Sequence, residues 1–130
     1  MATVSKFEDL EIWLKARQLH KEIIRICKYP GLSNDFEMAR HLKKTSGSIM
    51  DNIAEGFERE GKKEFRQFIS ISKGSTSELK SQLYRCIDSN YIENEEFDKL
   101  YGLCDEISKM AKGLMNYLNK SDLKGTKYKI

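Results

Sequence analysis

The chain has 130 residues, 33% of them charged, with a formal net charge of +3. One domain of that length buries about two-thirds of the surface its unfolded chain would expose. No apolar run approaches the roughly 18 residues of a membrane span and no basic-then-apolar leader opens the chain, so the expectation is a soluble, cytoplasmic protein.

Residues 1–6 carry no periodic pattern and read as a flexible N-terminus ahead of a bundle over 7–119. The first helix is expected over about residues 9–29, on a seam of Ile12, Ala16, Leu19, Ile23 and Ile26 broadened by Trp13 and Cys27. Tyr29-Pro30-Gly31 stops it, because proline disfavours helix in the residue before it. The second helix starts near Asn34, with Glu37 completing a capping-box-like arrangement, and runs on Leu42, Ser46, Ile49, Ile53 and Gly56. A third, over about residues 61–90, carries Phe65, Phe68, Ser72, Ser75, Leu79, Leu83 and Cys86. The fourth has the clearest heptad: Phe97, Leu100, Cys104, Ile107, Ala111, Leu114 and Leu118, with Asn94 as its expected cap. Short connections near 30–34, 57–61 and 90–94 predict an all-α, antiparallel up-down-up-down four-helix bundle. Residues 120–130 read as a basic flexible tail. Lys120, Lys124, Lys127 and Lys129 there oppose Asp122 alone, so the charge excess belongs to the tail and the body is balanced.

The middle helices turn small and polar at their centres, through Ser46-Gly47-Ser48 and Ser72, Gly74 and Ser75. A glycine inside a helix costs about 0.5–1 kcal/mol relative to alanine, which suggests close backbone approach at these sites or contact with another subunit. Asn52, Glu55, Ser75 and Glu78 are expected to join the two helices or adjacent subunits, since interfacial polar groups require partners.

Reaction chemistry finds little support. Gly56 to Lys63 has the G-x-x-x-x-G-K spacing of a phosphate loop, but it joins two helices and ends in lysine where a Ser or Thr should ligate magnesium. A di-iron bundle site needs Glu-x-x-His pairs, and the residues three before His20 and His41 are Arg17 and Met38. Cys27, Cys86 and Cys104 lack C-x-x-C spacing and read as small core residues. The expectation is no catalytic residue, no metal, no cofactor, and no enzyme.

Basic clusters are the candidate binding residues. Arg17, Lys21, Arg25 and Lys28 form a stripe on the first helix opposite its seam. Arg40, Lys43 and Lys44 lie on the second, and Lys62, Lys63 and Arg66 open the third. Polarised positive charge on a neutral body favours polyanion contact, while the absence of interleaved aromatic residues argues against base-specific readout.

Four motifs resemble a known family. Phe7, Asp9, Leu10, Trp13 and Ala16 look like its F-x-D-L-x-x-W-x-x-A opening. Ser48, Ile49, Asn52, Ile53, Ala54, Glu55 and Gly56 match its S-I-x-x-N-I-A-E-G. Phe65, Phe68, Gly74, Ser75, Glu78 and Leu79 follow its F-x-x-F and G-S-x-x-E-L, and Tyr91-Ile92 resembles its closing G-Y-I. The chain is thereby identified as a member of the bundle family named for proteins encoded within 23S ribosomal RNA intervening sequences, related to S23 ribosomal proteins. The resemblance implies a bacterial homopentamer. It also implies similarity to the accessory variability proteins of diversity-generating retroelements, basic pentamers that engage RNA or DNA and a reverse transcriptase. The implied partners are thus other copies of the chain, RNA or DNA, and a reverse transcriptase or ribosomal component, with no membrane. Lys43, Lys44 and Thr45 stand where the family often has arginines, which keeps charge but loses bidentate phosphate geometry.

Overall fold

The computed structural model describes residues 3–120 and 128–129. Among these the chain is almost entirely helical: α1 Glu11–Ile26, α2 Pro30–Asn34, α3 Phe36–Glu58, α4 Lys62–Asp88 and α5 Asn94–Leu118. A 3-10 turn at Phe7–Asp9 precedes α1. β1, Thr3–Val4, pairs antiparallel with β2, Tyr128–Lys129.

The four long helices form a closed ring of neighbours in the order α1, α3, α4, α5. Contacts between neighbours run in opposite residue order. Ser72 and Gln82 of α4 bond Ile49 and Thr45 of α3, while Lys80 and Tyr84 of α4 meet Asp105 and Phe97 of α5. Lys15 and Arg25 of α1 likewise meet Glu106 and Glu96 of α5. The seams predicted for α1 and α5 are buried as expected, except that Phe97 is half-buried and Leu103 joins the core.

Several local expectations are corrected. The connection at 30–34 is the short helix α2: Pro30 begins it, its fixed φ suiting the first helical position, and Leu32 is fully buried. The cap of α3 is Asp35, not Asn34; its carboxylate accepts the Met38 N–H at 3.0 Å. Asn94 does not cap α5 either, because Glu93 holds the cap position without a side-chain bond and Asn94 is already helical. On α4 the buried row is Phe65, Ile69, Ser72, Thr76, Leu79, Leu83 and Cys86, so Ile69 and Thr76 take the places expected for Phe68 and Ser75.

Where the chain ends are described, Thr3–Val4 and Tyr128–Lys129 are the paired strands β1 and β2. Tyr128 is 1% exposed and lies with its ring centroid 5.3 Å from Phe65 and 6.1 Å from Phe57, closing one end of the core. The remainder of the expected basic tail, residues 121–127 and 130, falls outside the described residues.

Candidate nucleic-acid interface

The small, polar centre of α3 and α4 is a hydrogen-bonded seam. Ser72 Oγ donates to the Ile49 carbonyl at 2.8 Å, and Ser48 and Ser75 hydroxyls meet at 3.1 Å. Asn52 Nδ2 folds back onto the Ser48 carbonyl at 2.8 Å and the Ser48 hydroxyl at 3.0 Å. Gln82 donates to Thr45 Oγ1 at 3.0 Å. Gly56 permits close approach, since a Cβ there would sit 2.5 Å from Phe68 Cβ. Three members of the motif stand outside this seam. Glu55 is exposed and pairs with Arg59 on its own helix at 2.9 Å. Glu78 is exposed and makes no ion pair among the described residues. Gly74 is exposed too, and an added Cβ would meet nothing within 4 Å. Glu55, Gly74 and Glu78 make no hydrogen bond in the seam that Ser72 and Gly56 build, which leaves Glu55 and Glu78 the adjacent-subunit role.

The first basic stripe is divided by its partners. Arg25 is tied at 2.7 Å to both Glu22 and Glu96 and donates to the Tyr29 hydroxyl at 2.5 Å. Tyr29 completes the loop by donating to Glu96 at 2.8 Å, and Lys99 holds Glu22 at 2.6 Å. These bonds lock the Arg25 charge on, raising an already high pKa, with the Glu96 bond the largest cause. The bond from Lys99, then that from Arg25, holds the Glu22 carboxyl below its usual range. At Glu96 burial pushes upward, but the Arg25 and Tyr29 bonds outweigh it and the carboxyl ends lowered. Arg25 is a strut between α1 and α5. Arg17 lies 5.8 Å over the half-buried Trp13 ring, which itself packs edge-on against Phe7 at 5.1 Å. Lys21 and Lys28 are exposed.

The third cluster is also divided. Lys62 Nζ donates to the Lys120 carbonyl at 3.2 Å, and Lys63 is exposed. Arg66 is half-buried and lines a groove toward α5 that neither lysine shares.

Arg40, Lys43 and Lys44 stay together. All three are exposed on α3 and none is in an ion pair among the described residues. Lys43 and Lys44 line two adjoining grooves: one of about 550 Å³ reaching His20, Ser48 and Asn52, the other of about 640 Å³ reaching Arg40 and Phe36. Phe36 is 81% exposed at the edge of this basic shelf. His20, which the sequence did not single out for binding, is fixed beside it by a 2.8 Å bond from its Nδ1 to Ser46 Oγ. The Ser46 hydroxyl also reaches the Lys43 carbonyl at 3.2 Å, on its own helix.

Among the described residues no group of three or more His, Cys, Asp or Glu side chains could hold a metal. The three thiols are buried and unbridged, and loss of solvation pushes Cys86 and Cys104 up to about 12. No helix among the described residues is long and apolar enough to cross a membrane.

A family model described as 23S rRNA-intervening sequence protein matches residues 8–113. The chain is also similar to the crystal structure of a protein of unknown function from the S23 ribosomal protein family of Bacteroides thetaiotaomicron VPI-5482. That match has a TM-score of 0.73 at 20% identity and covers 80% of this chain and 97% of the other, a likeness of fold. No curated protein matches the chain.

Proposed function

The chain belongs to the 23S rRNA-intervening sequence protein family, and from that premise we propose that it is a non-enzymatic RNA-binding subunit of a bacterial cytoplasmic homo-oligomer, a pentamer. Its four long helices form an antiparallel up-down-up-down bundle, a reading supported by the opposed residue order of their contacts. The single observation that carries RNA binding is the shelf of Arg40, Lys43 and Lys44, three exposed cations on one helix face without an ion pair among the described residues. Arg25, by contrast, is committed to Glu22 and Glu96 and is withdrawn from the binding set.

The expected interaction is with phosphates, so affinity falls steeply with salt and varies little with sequence. The test is fluorescence anisotropy of a structured RNA with the full chain and its Arg40→Gln/Lys43→Gln/Lys44→Gln variant across a salt series. Loss of three phosphate contacts flattens the log–log salt slope by about 2–3. Equal slopes for the two proteins refute the shelf as the RNA surface. Light scattering on the same samples reads the assembly mass, and a monomer refutes the pentamer.

A second reading is an accessory subunit whose partner is a protein, such as a reverse transcriptase or a ribosomal component. Phe36, 81% exposed beside the cations, favours it, since exposed aromatic rings are enriched at protein contacts. Phe36→Ser would then abolish partner binding while leaving RNA affinity unchanged.

A further inference from the structure

The glycine of the second small-residue cassette is not explained by helix packing, because the space a Cβ would enter at Gly74 is open. Gly74 instead lines a groove of about 460 Å³ between α4 and α5. Its charged lining is Arg66, Lys73 and Lys112, with no carboxylate among the lining residues. None of these cations is in an ion pair among the described residues, whereas Lys80, on the same side of α4, is held by Asp105 at 2.6 Å. The Arg66 Nε is buried and has no hydrogen-bond partner among the described residues.

A buried guanidinium N–H without an acceptor is unfavourable, and three like charges in one groove repel one another. An anion in the groove relieves the repulsion. Arginine's planar fork suits the oxygens of a phosphate, lysines add point charge, and the Ser70 and Ser77 hydroxyls on the lining supply neutral donors. Glycine at 74 keeps the helix backbone approachable.

We propose that the α4–α5 groove binds a phosphate group through Arg66, Lys73 and Lys112, with Gly74 providing the room. The groove lies on the opposite side of the helix ring from the α1–α3 side, where His20 and Lys43 sit. The proposal rests on the RNA reading for the source of the phosphate, a nucleic-acid strand as against a free anion, and not for the site.

The test uses the full chain, its Arg66→Gln/Lys73→Gln/Lys112→Gln variant and Gly74→Glu. The glutamate enters open space and replaces a helix glycine, so the melting temperature should not fall, yet it puts a carboxylate into the groove. Binding of a single-stranded RNA is read by anisotropy and of inorganic pyrophosphate by calorimetry. The expected result is at least about tenfold weaker RNA binding in both variants, with a salt slope shallower by about 2 in the triple variant. Weakened pyrophosphate binding with unchanged RNA binding supports the groove and assigns it to a free anion. If neither ligand loses affinity in either variant, or neither binds the parent chain, the groove proposal is overturned. RNA binding lost only in the Arg40/Lys43/Lys44 variant, with pyrophosphate binding equal in all the proteins, would overturn it while leaving the RNA reading intact.

Discussion

Gly56 of α3 and Phe68 of α4 stand so close that a single added methyl would fall 2.5 Å from Phe68 Cβ and 3.1 Å from the Phe65 ring. Real carbon atoms do not approach to that distance, so the α3–α4 spacing depends on glycine at this position. Phe68 carries a second contact on its other side, where the Arg59 guanidinium sits 5.1 Å from its ring centroid. Gly56→Ala should therefore destabilise the fold by about 1–3 kcal/mol through overpacking, despite alanine's better helix propensity. Gly74→Ala, with open space around it, should stabilise by about 0.5–1 kcal/mol. Urea denaturation of the pair reads the opposite signs directly.

Thr45 and Gln82 form a buried polar pair at 3.0 Å between α3 and α4, with Gln82 Oε1 already lacking a partner. Thr45→Val strands the Gln82 amide and should cost about 1–3 kcal/mol. Thr45→Val combined with Gln82→Met removes both polar ends and should recover most of that loss. A double-mutant cycle by chemical denaturation measures the coupling; additive single effects would show that the bond carries no specificity.

Stability should decline in acid. Glu22, Glu96 and Asp35 all have folded pKa values below their ordinary ones; for Asp35 the Tyr91 hydroxyl at 2.6 Å is the first cause and the Met38 N–H the second. A lowered carboxylate contributes stability that is complete above its unfolded pKa and disappears as pH falls through the folded value. Urea midpoints should thus be level from about pH 7 to 5 and drop below about pH 4, the ordinary carboxylate range. Glu22→Gln/Glu96→Gln should start lower at neutral pH and fall less steeply in acid.

Tyr128 fills the end of the core with a ring whose hydroxyl is buried and without a partner among the described residues, and burial pushes its pKa up. Tyr128→Phe deletes only the unsatisfied group and should leave stability equal or higher. Tyr128→Ala should cost about 3 kcal/mol by opening a cavity beside Phe57 and Phe65. Thermal melts distinguish the two, and a melting temperature unchanged in Tyr128→Ala would disprove the plug.

The helices were legible wherever periodicity had a single solution. The α5 seam advances in strict three–four steps of apolar residues, so Leu100, Cys104, Ile107, Ala111, Leu114 and Leu118 could be read directly, and all are buried. On α4 two rows fit the heptad equally, one through Phe68 and Ser75 and one through Ile69 and Thr76. The second is the buried one, because Gly56 makes a place for Phe68 at the flank of the core and Arg59 covers it. No propensity on α4 alone encodes that choice. Caps failed for a similar reason: Asp35 is selected by the position of α2 and by Tyr91, neither visible in the local pattern.

The candidate surface was legible as charge and not as geometry. Arg40, Lys43 and Lys44 were found because they are neighbours on one helix. Arg25 was placed in the basic stripe by its spacing, and its ion pair with Glu96 on another helix has no signal in the local pattern. Lys73 and Lys112 were passed over for the converse reason, being isolated in sequence and brought to Arg66 only by the α4–α5 packing.

The three thiols equip the molecule with internal reporters. Cys86 in α4 and Cys104 in α5 are sealed from water, whereas Cys27, just after α1, lines the groove beside Arg40 and Lys43. A thiolate must form before an alkylating reagent can react, so labelling at Cys86 and Cys104 waits for their helices to open, while Cys27 reports on the groove's edge. Single-cysteine versions would time the breathing of two separate staves, and agreement between their rates would mean that the barrel comes apart as a unit.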